Sequence, residues 1–268
     1  MRGTVWCGTD TSRGCNGYYA ASSFAFNANL PPSARLPEPL DEATLAEVRK
    51  VIKRLRPLYR SVRTKIEIVD DIGAEPMFEV MPPHFIVFKS VIKDTTNMNA
   101  GYMLEQLSLE LSNMGIGSCM IAKQRPSQEV IDAIPLPKGE YILMMGIGRP
   151  NMNLLRDSTD KFDRMPKEQF LRKGEYTEAI EACRLAPSSH NKQPWCMIND
   201  GTVLHVFSKK VSDPPLPIYK TLDSIDIGIL LYHVVVSSRE AGFDGIQEFV
   251  FEGSKQAPEG YYYITSII

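Results

Sequence analysis

The chain has 268 residues, 43% apolar and 23% charged, with a formal net charge of -2 and a pI near 6.1. That is ordinary globular composition with enough apolar material for a sizeable core, and with no run of Lys and Arg interleaved with aromatics it excludes nucleic acid as an expected partner. Five scattered cysteines without a CxxC pair (Cys7, Cys15, Cys119, Cys183, Cys196) argue against a disulfide framework or a zinc site, and apolar runs such as Ile227 to Val236 are too short to span a bilayer, so a cytoplasmic protein with no membrane partner is expected.

Residues 1–40 are rich in Gly, Ser, Asn and Pro and offer only the cluster YYAASSFAF (Tyr18 to Phe26), so they are read as an irregular lead-in. Asp41 is an N-cap for a helix whose Leu45, Val48, Val51, Ile52 and Leu55 share one face and which ends before Pro57. Strands are predicted at Lys65 to Val69 and His84 to Lys89. A largely buried helix follows from Asn97 to Met114, where Met103, Leu104, Leu107, Leu111 and Met114 recur at helical spacing. GIGSCMIA (Gly115 to Ala122) reads as a glycine stop and a strand, Ser127 to Ala133 as a short helix and Tyr141 to Ile147 as a central strand.

The charged segment Asn151 to Lys173 reads as a crossover, and Glu175 to Ala186 as a helix ended by Pro187. A hairpin follows, Trp195 to Ile198 and Val203 to Phe207, turned at Asn199-Asp200-Gly201. After a Pro-rich loop come a helix from Ser224 to Glu240 and two strands, Gln247 to Phe251 and Tyr261 to Ile267. The chain also matches itself. A shift of 127 lays Gly101 to Gly115 over Gly228 to Gly242 with the apolar stripe in phase, and a shift of 130 lays Arg54, Leu55 and Pro57 over Arg184, Leu185 and Pro187. Two similar halves are therefore expected, at 41–165 and 166–268, after the lead-in 1–40.

The densest row of hydrogen-bonding side chains is RLAPSSHNKQPW, Arg184 to Trp195. Read from residue types alone, a helix-to-strand turn carrying Ser188, Ser189, His190, Asn191, Lys192 and Gln193 can grip a polar heterocycle, or it is a solvated turn plugged by Trp195. No histidine lies three to five residues from another, there is no GxxxxGK[ST], and GIGRP (Gly146 to Pro150) lacks the third glycine of a dinucleotide fingerprint, so no metal, P-loop or Rossmann site is expected.

APSSHNKQPW resembles the APSxxNxQPW signature of the FMN-dependent nitroreductase family, with Ala186, Pro187, Ser188, Asn191, Gln193, Pro194 and Trp195 on the pattern. NAGYMLEQLSLELSNMGIGSCMI (Asn99 to Ile121), GRP (Gly148 to Pro150) and DIGILLYH (Asp226 to His233) extend the likeness. It implies an α+β nitroreductase-like fold, antiparallel-rich sheets flanked by helices, here fused as an intramolecular pseudo-dimer like the tandem TM nitroreductases. It further implies an FMN-dependent oxidoreductase that uses NAD(P)H to reduce a small acceptor such as a nitroaromatic or quinone, the chain acting as a monomer equivalent to a dimer.

On the same resemblance Pro187, Ser188, Asn191 and Gln193 lie against the flavin, Gly115, Gly117 and Ser118 pass its reactive edge, and Arg164, helped by Lys161, reaches the phosphate. Ser33 and Arg35 of PPSAR match the family's N-terminal arginine segment in part, because Pro31 and Pro32 replace its leading arginines. That departure leaves a rival open, a non-catalytic flavin-binding or flavin-free relative. No catalytic side chain is expected, since the cofactor carries the chemistry. The signature falls in one half and GIGSCMI in the other, so a single FMN in a cleft between the halves is the expectation.

Overall fold

The computed structural model describes residues 3–7, 18–23, 38–75, 82–121, 124–149, 159, 162–210, 217–240, 249–250 and 257–267; Ser33, Arg35 and Lys161 lie outside them. The chain divides into two units, 1–161 and 162–268. This boundary precedes the expected one at 165/166, because Phe162 is buried and the Arg164 guanidinium is bonded to Leu185 of the second unit.

In the first unit the described elements run β1 (Gly3–Cys7), β2 (Tyr18–Ser23), α1 (Glu42–Arg54), β3 (Thr64–Val69), β4 (His84–Val91), α2 (Thr96–Asn113), β5 (Gly117–Ile121), α3 (Gln128–Ala133) and β6 (Gly139–Gly148). The strands form one sheet in the order β1-β2-β5-β6-β4-β3, antiparallel throughout except β2 against β5. Strands β1 and β2 fall inside the stretch expected to be irregular. Asp41 caps α1 as expected, its Oδ1 accepting from Thr44 N at 2.7 Å, and Leu45, Val48 and Val51 form the buried face.

Strand β4 is buried on both faces, which explains its unbroken apolar run. Its one cation, Lys89, is also buried and donates to the carbonyls of Ile131 (2.9 Å) and Ile134 (3.0 Å), at the end of α3 where helix carbonyls lack intrahelical partners. Helix α2 is buried on nearly every side from Thr96 to Leu111, including Asn99, Glu105 and Gln106. A single apolar stripe would leave half of it wet; its apolar residues all round suit the centre of a layer.

The second unit runs α4 (Lys167–Phe170), β7 (Leu171–Lys173), α5 (Glu178–Arg184), a 3-10 turn (Ser189–Asn191), β8 (Trp195–Asn199), β9 (Leu204–Lys209), α6 (Pro217–Glu240), β10 (Phe249–Val250) and β11 (Tyr261–Ile267). Its sheet has the order β10-β11-β9-β8-β7, antiparallel except β7 against β8. Both units thus carry a four-strand set in one lateral order, β3-β4-β6-β5 and β8-β9-β11-β10, with α2 or α6 following the second strand. The α+β class with antiparallel-rich sheets is what the sequence predicts; α4 and β7 lie where it predicts only a crossover.

Helix α6 begins seven residues before the expected Ser224 and is 24 residues long. Against the expectation that no apolar run could span a bilayer, its window Thr221–Ser238 is long and apolar enough by length and composition, with mean hydropathy 1.2, but 78% of that window is buried inside the protein. That apolarity serves the core.

Gly174 follows β7 with φ +103°, and a Cβ there would lie 2.0 Å from the Asn199 carbonyl oxygen. Both the backbone conformation and the close approach require glycine. Gly174→Ala is expected to destabilise the protein by about 2–4 kcal/mol in equilibrium denaturant unfolding, since it combines a positive-φ penalty with a backbone collision; a change under about 0.5 kcal/mol would show that β7 shifts without cost.

Candidate functional site

The turn that joins α5 to β8 is conformationally expensive. Its residues His190, Asn191 and Gln193 have φ of 53°, 54° and 49°, a left-handed backbone that costs a non-glycine residue about 1 kcal/mol or more. Such strain persists only where neighbouring groups over-determine the shape. Here they do, from inside the turn, from the segment before α4, and from α6.

Inside the turn, Ser188 Oγ accepts from Gln193 N at 2.8 Å, while Ser188 O and Ser189 O accept from Asn191 N (3.0 Å) and Lys192 N (3.1 Å). From outside, residues 163–165 run alongside and stitch to it. Asn191 Nδ2 donates to Asp163 O (2.9 Å) and Oδ2 (3.2 Å), Arg164 Nη1 donates to Asn191 Oδ1 (3.2 Å), and Met165 N donates to Gln193 Oε1 at 2.6 Å. Arg164 Nε and Nη2 both reach Leu185 O, at 3.1 and 3.0 Å, where α5 ends and its carbonyls need partners. The guanidinium lies 5.7 Å from the Phe162 ring centroid.

Behind this, Arg184 fixes the same segment by donating Nη1 to Met165 O at 3.0 Å. Arg184 and Glu181 form a mostly buried bidentate pair (2.5 and 2.8 Å), and Tyr176 OH also donates to Glu181. Burial raises the Glu181 carboxyl, but the hydrogen bonds from Arg184 and Tyr176 outweigh it and hold the group below its ordinary value. This contribution is present above the unfolded value and is lost as pH falls through the folded one.

From the third side, Asp226 on α6 accepts from Ser189 N at 2.8 Å. Burial pushes this carboxyl up to about 8, with Asp223 adding to the rise and the Ser189 N–H and Lys192 opposing it. Among the described residues the buried side-chain atoms without a hydrogen-bond partner are Asp226 Oδ2 and Trp195 Nε1. The first belongs to the carboxyl whose Oδ1 holds the turn and the second to the residue that ends it.

Of the residues singled out in the sequence, Pro187, Ser188, Asn191, Gln193 and Arg164 come together here. Arg164 was expected in the half opposite the signature; it lies in the same unit, bonded to it, because the unit boundary falls before Phe162. Gly115, Gly117 and Ser118 lie in the first unit. Gly115 stops α2 at φ +69°, Gly117 pairs with Gly148 at the start of β5, and Ser118 Oγ lies 2.9 Å from Ser108 Oγ on α2. His190 is exposed, with Nδ1 3.0 Å from Ser189 Oγ. Sequence reasoning missed Asp163, Met165, Tyr176, Glu181 and Asp226. Only Asp226 carried a signal, as the first residue of the quoted DIGILLYH.

Against family models, residues 36–238 match the one described as "Putative TM nitroreductase". The chain belongs to this nitroreductase family. Among solved structures, the "putative nitroreductase" of Thermotoga maritima MSB8 is 20% identical with a TM-score of 0.56, over 87% of this chain and 88% of that one, which shows a shared fold. The FMN-dependent nitroreductase of Clostridium difficile R20291 is 16% identical over 48% of this chain and 89% of that one, with a TM-score of 0.37. No curated protein matches.

Two measurements check this geometry. Arg184→Met is expected to cost about 3–5 kcal/mol in denaturant unfolding, because it strands the buried Glu181 carboxylate; a cost below 1 kcal/mol would contradict the assigned pair. For Asp226 the folded value lies above the unfolded 3.8, so its contribution is present at low pH and is lost as pH rises through about 8. Asp226→Asn is therefore expected to gain stability relative to the parent between pH 5 and 9, and parallel profiles of thermal unfolding against pH would contradict the assignment.

Proposed function

We propose that this protein is an FMN-dependent oxidoreductase that takes electrons from NAD(P)H and passes them to a small acceptor of the nitroaromatic or quinone class. The single observation that carries this is the signature turn, whose strained backbone is held on three sides around Ser188, Asn191 and Gln193. A heterocycle that carries both acceptor and donor positions on one edge, as flavin does, suits a turn built of a hydroxyl and two side-chain amides. Family membership supports the reading.

Bound FMN would supply the redox chemistry, accepting a hydride equivalent from the nicotinamide and returning electrons to the acceptor. The chain's own residues have a narrower task. Ser188, Asn191 and Gln193 bind and orient the ring, and Asp163, Met165 and Asp226 keep those three in place. Arg164 supplies positive charge at the turn, and because it already bonds to Leu185 O and Asn191, it acts on the phosphate from a fixed position rather than as a flexible arm.

The repeated strand order and the matching shifts in sequence support a duplicated module, fused so that one chain does the work of a dimer and takes one flavin. The rival, a flavin-free relative, rests on the missing arginines at Pro31 and Pro32.

The purified protein, mixed with FMN and freed of excess, is expected to keep a flavin absorption band that NAD(P)H bleaches and a nitroaromatic or quinone restores. A colourless protein after this treatment would overturn the proposal. Arg164→Ala is expected to lose at least tenfold in FMN affinity and to bind FMN and riboflavin more nearly alike, about what one charge-assisted contact contributes; an unchanged FMN-to-riboflavin ratio would remove Arg164 from the phosphate.

A further inference from the structure

One backbone-to-side-chain bond occurs in both units. In the first, the Tyr59 N–H donates to Asn99 Oδ1 at 3.0 Å; in the second, the Ser189 N–H donates to Asp226 Oδ1 at 2.8 Å. The partners correspond through the two shifts found in the sequence, 127 for the helix residues and 130 for the turn residues. In each case a buried side chain on the unit's long helix, Asn99 in the first turn of α2 and Asp226 farther along α6, holds the turn that follows a shorter helix.

The two bonds differ in one atom. Asn99 is an amide whose Nδ2 lies 3.5 Å from Met103 Sδ, and its turn, RPLYRS, has no Asn or Gln. Asp226 is an acid whose Oδ2 is buried without a partner, and its turn is the signature. Holding the turn does not require an acid, because Asn99 does the same work as an amide. The acid is costly, since a buried carboxyl next to Asp223 cannot ionise without a penalty, so it calls for a role that an amide lacks.

We propose that Asp226 is a positioning residue for the flavin, which in its protonated form holds the signature turn in the shape that presents Ser188, Asn191 and Gln193, and which on ionisation weakens flavin binding. The proposal rests on the flavin reading given above. The physical reason is charge. A neutral Oδ2–H can donate, as the Asn99 amide can, whereas a carboxylate there only accepts and repels the phosphate and the electron-rich carbonyl edge of the ring.

Charged and titratable groups lie on α6 itself and on the elements packed against it. On α6, Asp223 raises it, and His233 lies farther along with Nδ1 3.2 Å from Ala182 O. On the turn, Lys192 opposes the rise, and His190 is exposed with its ring at Ser189 Oγ. On α5, Glu181 and Arg184 are spent on each other, and burial pushes the Cys183 thiol up to about 12. Arg164 is bonded to Leu185 O and Asn191.

The test compares FMN affinity at pH 7 and pH 9.5, by quenching of flavin fluorescence, for the parent and for Asp226→Asn, in which the amide stands in for the protonated acid. For a group titrating at about 8, the parent is expected to lose about thirtyfold in affinity across this range, while Asp226→Asn binds with one affinity at both values. A parent that binds FMN equally at both, or a variant that falls as steeply as the parent, overturns the positioning role and leaves the flavin reading standing.

No FMN uptake by the parent at pH 7 overturns the flavin reading and the role built on it. A second measurement needs no ligand. The Ser189 amide resonance of the flavin-free parent is expected to move in a step centred near pH 8 that Asp226→Asn lacks, and a resonance without that step overturns the proposal.

Discussion

The constraint on which the second unit depends is the backbone of residues 190 to 193. The chain must turn from α5, which ends at Arg184, into β8, which begins at Trp195, and three non-glycine residues accept a left-handed backbone to do it. Glycine at these positions would relieve the strain and would also remove the side chains that the site uses. The protein keeps the side chains and holds the strain with hydrogen bonds. The Asn191 and Gln193 side chains bond to residues 163–165, Ser188 closes the turn on itself, and Asp226 holds Ser189 from α6.

Several features of the unit follow from this. Arg184 and Glu181 are buried as a pair on α5, where the guanidinium also fixes the Met165 carbonyl. Phe162 is buried and lies under the Arg164 guanidinium, which anchors the start of the stitched segment. The unit therefore begins at Phe162 rather than at α4, and the charged stretch before α4 belongs to the site. Breaking the buried bonds among these, Gln193 N to Ser188 Oγ and the Arg184–Glu181 pair, leaves a buried polar group unsatisfied, which costs more than the bond itself contributes.

Much of the fold was legible because its signals are local. The apolar recurrence at helical spacing in α2, the Asp41 cap of α1 and the Asn-Asp-Gly turn between β8 and β9 each state their structure within a few residues. The start of α6 was not, because Pro217 reads as part of a Pro-rich loop, although proline is well suited to the first position of a helix. Strands β1 and β2 lie among glycines and serines, and β2 joins the sheet through β5, far along the chain. Segments α4 and β7, KEQF and LRK, carry too few apolar residues to show any period.

The site divides in the same way. The signature stands out as a row of residue types, and its resemblance to a family motif gave Pro187, Ser188, Asn191 and Gln193. Its partners could not be found so, since Met165 contributes a backbone N–H, Asp163 a carbonyl, and Asp226 is 37 residues away. The central claim is that this stitched turn is where flavin binds. It is tested most directly by titrating FMN into isotopically labelled protein and mapping the amide resonances of the second unit. The account predicts that the largest shifts fall on residues 188 to 193, with smaller ones at 163 to 165; saturable FMN binding that leaves those resonances unmoved would contradict it.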